Sequence, residues 1–400
     1  MGTDAGQRRL LLRARAAVFC LFAAFGVVIA TWAVHLPSVK QATGVSTSLL
    51  GTILLILGAG ALVGMQVSGL LVDRFGSAPI AVLGVGGMAV AFVPPLMAST
   101  FVTAATGAFV LGIATGTAEV GMNAAAVDVE RDYGRPIMAA FHAVFSIGNV
   151  AGALIGAAAF ALGVGILATA LTVTVIALLL VGGAATVLLR RGRVQHSEVP
   201  AAAELAQQDD PPPQRGRVVV LGALAFLLLL TEGSAMDWSS LHAQQHLGAS
   251  PSLGALALGC FVSAMTLGRL VVDRLVERVG PVWVVRWGGA AAVVGFGIVI
   301  ASPTLVLALV GWAILGLGLC GGVPQVFTAA GNLPGGSGKA LSRVVGTGYV
   351  AILAGPGVIG WLADLLSLNT ALLLPLCGVL ICACASSAVA PRTAHPMAKD

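Results

Sequence analysis

The sequence predicts an all-α, polytopic membrane protein: twelve transmembrane helices arranged as two pseudo-symmetric six-helix halves. Three observations carry that prediction. Of 400 residues, 58% are hydrophobic and only 9% charged, with a mean hydropathy of +0.99, whereas soluble domains run near a quarter charged. The Lys and Arg residues gather in alternate connections between the apolar runs. A charged segment is also written twice, as SGLLVDRFG at 68–76 and GRLVVDRLVERVG at 268–280.

A bilayer core asks for about 20 apolar residues per helix, and nearly the whole chain divides into such pieces. The first six are 15–37, 47–72, 79–99, 102–127, 137–162 and 165–189. The basic flank before the first resembles that of a signal peptide, but the apolar run that follows is long enough to span, so an uncleaved first helix is expected. The remaining six are 218–241, 251–272, 281–301, 304–327, 340–362 and 370–390. The long polar segment RRGRVQHSEVPAAAELAQQDDPPPQRGR suits a flexible linker. The expected division is therefore an N-terminal half over 1–189, a cytoplasmic linker over 190–217 and a C-terminal half over 218–400. The 53 glycines fit closely packed membrane helices.

The basic residues orient these spans. Arg8, Arg9, Arg13 and Arg15 precede the first helix, Arg74 follows the second, and Arg131 and Arg135 follow the fourth. The linker, the eighth-to-ninth and tenth-to-eleventh connections and the C-terminus hold the rest, with Lys40 alone on the other side. The positive-inside bias places both termini and the linker in the cytoplasm of a multi-pass cell-membrane (inner or plasma membrane) protein. The net charge of +5 is dispersed between spans, so no nucleic-acid partner is indicated. The six cysteines lie inside apolar runs without CxxC spacing, as packing residues rather than a metal site or disulfide framework.

The duplication extends beyond one segment. Met65, Leu70, Val72, Asp73 and Arg74 align with Met265, Leu270, Val272, Asp273 and Arg274. Trp32 matches Trp238, GVS at 44–46 matches GAS at 248–250, and AGALIG at 151–156 echoes AGPGVIG at 354–360. Over nearly its whole length the chain resembles the major facilitator superfamily, which carries G-x-x-x-D-R-x-G-R-R/K between its second and third helices. Gly69, Asp73, Arg74 and Gly76 match, with Ser77 and Ala78 replacing the basic pair. In the second half Asp273, Arg274 and Gly280 match more loosely, and Arg269 stands where the first glycine would be. The segments EVGMNAAAVDVERDYGRPIMAAFHAVFSIG, EGSAMDWSS and MTLGRLVVDR resemble the rhizopine-transporter-like (MosC-like) subgroup.

The resemblance implies two halves that rock about a midplane site. It implies secondary active transport of a small solute by alternating access, as proton-coupled symport of a polar, sugar- or cyclitol-like metabolite. The alternatives are proton-driven efflux of amphipathic compounds and a non-transporting sensor on the same fold. The expected partners are a small solute, protons and the lipid bilayer, with the chain functional as a monomer and no cofactor. No HExxH, GxSxG or GxxxxGK[ST] segment argues for an enzyme or ATP drive. The Gly-Pro element that many antiporters of the superfamily carry in helix five is absent there. In such a cycle Gly69, Asp73, Arg74, Gly76, Asp273 and Arg274 form a conformational latch: the glycine lets helices approach, and Asp beside Arg makes an ion pair. The plainer alternative is a turn with positive-inside arginines.

A carboxylate at a span's centre costs about 2.5–3.5 kcal/mol on insertion scales, so each needs a reason. Glu119 lies eight residues from the expected end of the fourth span, with Asn123 one turn along. His142 and Asn149 share a face of the fifth. These four are expected either to make one polar, proton-carrying patch between the two helices or to fasten them statically. Glu232, mid-span in the seventh helix, is a coupling or substrate candidate, while Asp237, close to the outer end and 140° around the helix so that the two do not share a face, reads as a functional group or a solvated helix end. Trp32 and Trp238 are candidates for stacking on a solute or for the aromatic belt at the interface. His35 reads as interfacial, and Arg269 as a residue that snorkels to headgroups. Gln325, after Pro324, marks a possible broken turn facing a cavity.

Overall fold

A computed structural model describes residues 2–133, 137–195, 215–333 and 337–390. Every regular element among them is helical. The first half comprises α1 (Gly2–Thr43), α2 (Thr47–Phe75), α3 (Ser77–Ala91), α4 (Val93–Leu96), α5 (Phe101–Tyr133), α6 (Met138–Ala161) and α7 (Ile166–Gln195). The second comprises α8 (Arg215–Leu247), α9 (Pro251–Val279), α10 (Pro281–Ala301), α11 (Leu305–Leu319), α12 (Gly322–Gly331), α13 (Ser337–Leu365), α14 (Leu368–Ala371) and α15 (Leu373–Cys384), then a 3₁₀ turn, Ser386–Val389. Eleven of the described helices are long and apolar enough to cross a membrane, and 368–384 forms a shorter apolar helix. The expected linker is helical at both flanks, to Gln195 and from Arg215; its residues 196–214 lie outside the described residues.

Departures from the expected spans have local causes. The third span breaks before Pro94 and Pro95, which lack N–H donors and so open a new helical start in α4. The tenth divides at Cys320–Gly321 into α11 and α12, so the break precedes Pro324, which sits in the first turn of α12, where a missing N–H is harmless. The fourth runs on to Tyr133 rather than ending near 127, leaving Glu119 fourteen residues, roughly 21 Å, inside that end.

The repeat seen in sequence is a repeat in backbone geometry. Ser46 and Ser250 cap α2 and α9 by accepting from Leu49 N (3.2 Å) and Leu253 N (3.5 Å). Gly76 and Gly280 end those helices with the same φ of 84°, a left-handed value that disfavours any side chain. Packing follows the same duplication. α2 lies on α5 as α9 lies on α11, α1 on α6 as α8 on α13, and α3 on α5 as α10 on α11. The approach of α2 to α5 needs glycine, because a Cβ at Gly112 or Gly116 would collide with the carbonyls of Leu57 or Ala61.

One face of the bundle is rich in arginine. Arg15 donates to Tyr133 Oη there (3.2 Å), and Ser77 donates to Asp128 (2.6 Å). Glu130 accepts from the N–H groups of Ile137 and Met138 at the start of α6 (both 2.6 Å), and Arg217 donates to the Ala388 carbonyl (3.2 Å). Each half has its own apolar core, and the two cores interlock toward the opposite, far face. Trp238, Leu241, Ile359 and Ala363 join the first core, while Ala33, Val34, Ala153 and Ala157 join the second. Exposed Leu179, Val306 and Leu365 project from the bundle's surface, the arrangement a bilayer requires.

Candidate functional site

Between the halves lies a cavity of about 260 Å³ lined by α1, α2, α5, α6, α8 and α13. Its walls are mostly apolar, including Phe25, Ile29, Leu54, Leu57, Phe145 and Leu353, with Trp32 from α1. Three carboxylates interrupt them: Glu119 from α5, and Glu232 and Asp237 from α8. Tyr349 of α13 adds a phenol.

Toward the far face the cavity is closed by two seams between the halves. In one, α2 meets α13 backbone to backbone: a Cβ on Gly51 would lie 2.7 Å from the Pro356 carbonyl oxygen and 3.0 Å from Gly360 Cα. Trp361 Nε1 donates to Thr52 Oγ1 there (3.0 Å), and the Asp364 carboxylate accepts from Ser46, Thr47 and Ser48 at the N-terminus of α2. In the other, α6 meets α9, with Ala153 against Gly259.

Glu119 Oε1 accepts the Tyr349 hydroxyl at 2.6 Å, a bond joining the two halves. Glu232 Oε1 accepts from Arg269 Nη2 at 3.1 Å, and Arg269 Nη1 reaches Ser146 Oγ at 3.4 Å. Both members of the ion pair keep some exposure, 28% for Arg269 and 20% for Glu232.

Several expected arrangements are corrected here. The single patch of Glu119, Asn123, His142 and Asn149 does not assemble, because α5 packs on α2 and α3 while α6 packs on α1 and α9. The fourth and fifth spans, though consecutive in the chain, touch only slightly. Asn123 Nδ2 donates instead to the Glu119 carbonyl of its own helix (2.8 Å). His142 is exposed, with its ring edge-on to Phe22 at 5.3 Å, and Asn149 is buried where α6 crosses Gly26 of α1. Arg269 does not snorkel to headgroups; it turns inward to Glu232. Asp237 is not a solvated helix end: the cavity is wide enough for positions 229, 232, 233, 236 and 237 of α8 to line it together.

The aromatic-belt alternative fails for both tryptophans, because the outer ends of α1 and α8 meet each other rather than lipid. Trp32 lines the cavity, while Trp238 is fully buried in the first core and does not line it. His35, expected at the interface, is buried; its Nδ1 lies 2.8 Å from the Thr31 carbonyl and its ring against Phe160. Gln325 is buried and outside the cavity lining. The latch residues stand apart from the cavity. Asp73, Arg74, Asp273 and Arg274 are exposed, and among the described residues no ion pair joins them. The Arg74 guanidinium lies over the Phe75 ring at 5.3 Å. Nothing lies within 4 Å of a Cβ built on Gly69, so that glycine permits no close helix approach in this conformation.

Sequence reasoning missed Tyr349, Ser146 and Asp364. The chain has only two tyrosines, and one in the middle of an apolar, glycine-rich span was a usable signal. Ser146 and Asp364 matter only through helices from the other half, which no spacing reveals.

Comparison with known proteins agrees with this architecture. The family model described as Major Facilitator Superfamily matches residues 16–241 and 221–400. An uncharacterized MFS-type transporter of Yersinia pestis is 34% identical, over 86% of this chain and 88% of that protein. The membrane protein MosC of Rhizobium meliloti is 29% identical, over 90% and 86%. Among solved structures, the nucleoside transporter NupG superposes with a TM-score of 0.69 at 15% identity, covering 95% of this chain and 98% of that one. The fucose:proton symporter FucP of E. coli gives 0.59 at 14% identity, covering 94% and 98%.

Proposed function

Since the chain belongs to the Major Facilitator Superfamily, we propose that it moves a small polar solute, sugar- or cyclitol-like, together with protons by alternating access. The observation that carries the reading is the Glu119–Tyr349 bond, a carboxylate–phenol pair linking the halves inside a cavity closed toward one face. Glu232 is tied to a guanidinium. Glu119 is held by a neutral hydroxyl, so it can take or give a proton without stranding a partner charge.

The arginine-rich face is cytoplasmic by the positive-inside bias, and the membrane is the cell's plasma membrane with both termini inside. The conformation described is thus closed to the exterior. Solute entering the cavity stacks on Trp32 and competes for the Tyr349 hydroxyl, and protonation of Glu119 releases that hydroxyl from its carboxylate. His142, Asn123, Asn149, Trp238 and Gln325 do not line the cavity and serve the cycle through helix packing around it. When the cytoplasmic side closes, Asp73 and Arg74, and their counterparts Asp273 and Arg274, leave water and engage the opposite half, with Gly69 and Gly76 allowing the approach. The chain works as a monomer, since site and both seams lie within one copy. The structural neighbours NupG, a nucleoside transporter, and FucP, a fucose:proton symporter, support the reading of a polar solute.

The apolar majority of the lining favours a second reading, efflux of amphipathic compounds. A solute screen in right-side-out vesicles with an imposed pH gradient separates the two. Accumulation of a polar solute that follows the gradient and collapses with protonophore is expected. In Glu119→Gln, solute exchange should persist while gradient-driven accumulation disappears. Uptake indifferent to protonophore would overturn proton coupling, and export of lipophilic dyes alone would favour the second reading.

A further inference from the structure

Asp237 has no role in the scheme above, and its surroundings give it one. It lies ten residues, roughly 15 Å, before the far-face end of α8. It lines the cavity with Pro356, whose carbonyl faces Gly51 in the sealed seam. It is half-buried, and among the described residues no hydrogen bond or ion pair reaches its carboxylate. The titratable groups sharing the cavity are Glu119 on α5, Glu232 on α8 and Tyr349 on α13, with Arg269 of α9 held behind Glu232. The walls from α1, α2 and α6 are uncharged.

The cavity thus presents three carboxylates, and the guanidinium behind its wall, Arg269, is committed to Glu232. A bare carboxylate in an apolar wall within a membrane span is costly unless something neutralises it. We infer that Asp237 is a second proton-binding carboxylate, placed at the sealed end of the cavity so that it loads when the far face opens. This rests on the proton-coupled reading and adds a site to it: Asp237 serves the far side, and Glu119, deeper toward the arginine-rich face, serves the other. The step is a bare proton transfer: a hydronium ion on the far side gives one proton to an Asp237 carboxylate oxygen and leaves as water, and the neutral acid keeps that proton while the cavity changes face.

Infrared difference spectroscopy of the purified full-length protein in lipid tests this without any knowledge of the solute. Stepping the pH should reveal carboxylic-acid C=O bands, one of which disappears in Asp237→Asn while a separate one disappears in Glu119→Gln. Carbon-13 labelling of aspartate in the unmutated protein should shift the Asp237 band and leave the glutamate band in place, so the result does not depend on a variant that folds. An aspartate band absent across the neutral pH range would overturn the inference. So would an aspartate band abolished by sodium at constant pH, since Asp237 would then be a metal-cation site. If the Asp237 band titrates but vesicle uptake ignores the proton gradient, the site stands and the coupling reading fails. The two failures are therefore distinguishable.

Discussion

The two seams between the halves occupy equivalent places in the duplicated plan, α2 against α13 and α6 against α9, yet they are held by different physics. The α2–α13 seam is tight backbone contact at Gly51 and Gly360, with polar ties at its far-face end: Trp361 to Thr52, and Asp364 on the α2 N-terminus. The α6–α9 seam is looser at its glycine, where a Cβ on Gly259 would sit 4.0 Å from Ala153 Cβ, and its polar tie is the Ser146–Arg269 bond beside the cavity. A duplicated helix plan thus carries residues that are not duplicated. Both seams close the far face, but one is tied at that face and the other beside the site.

Substitutions can break or sharpen this contrast. The largest effect is expected for Gly51→Ala, because the new methyl meets backbone atoms that cannot yield. Overpacking of this kind costs about 1–3 kcal/mol, roughly a ten- to hundredfold loss of the sealed form. Gly259→Ala, entering ordinary contact distance, should leave uptake within about twofold. Cysteine labelling from the far side, run beside vesicle uptake, reads both; equal effects would erase the distinction between seams.

Next in size is Arg269→Gln, which leaves Glu232 without its cation. Removing one member of a buried pair costs about 3–5 kcal/mol, and the residual exposure of this pair reduces that to roughly 1–3 kcal/mol. The thermal unfolding midpoint should fall, and the double change Glu232→Gln with Arg269→Gln should restore most of it. Failure of the rescue would mean that Arg269 acts mainly through Ser146 and the α6–α9 seam.

Asp364→Asn removes a negative charge from a solvent-facing helix N-terminus, an interaction of about 0.3–1 kcal/mol. Far-side labelling should then rise roughly two- to fivefold, more at low than at high ionic strength. Smallest is Trp361→Phe: its hydrogen bond is exposed, so water replaces it on both partners and the loss stays at or below about 0.5 kcal/mol. It should alter labelling only slightly and without salt dependence, separating the bond from the charge.

Much of the architecture was legible in the residues. The spans, their alternation and the duplication of Ser46 and Ser250 or Gly76 and Gly280 are local matters of hydropathy, capping and backbone freedom, and local rules reach them. The break at Pro94 and Pro95 is equally local, although the expected third span ran straight through it. The site was legible only in its ingredients. Glu119 and Glu232 stand out because charge in an apolar span is conspicuous, but the patch expected around Glu119 assumes that chain neighbours are spatial neighbours, and Glu232 has no partner that spacing reveals. Arg269 looked able to reach water because its depth was readable and its direction was not.

The sequence by itself determined that this chain crosses a membrane as a doubled helical bundle, because the energy of placing apolar and charged groups in a bilayer depends on residue type and spacing alone. Only the tertiary structure decided that Glu119 meets Tyr349, that Arg269 turns to Glu232 and that Asp237 faces the cavity unpaired. Those contacts depend on the rotation and crossing of helices far apart in the chain, which glycine-to-backbone approaches such as Gly51 on Gly360 set and no single helix encodes.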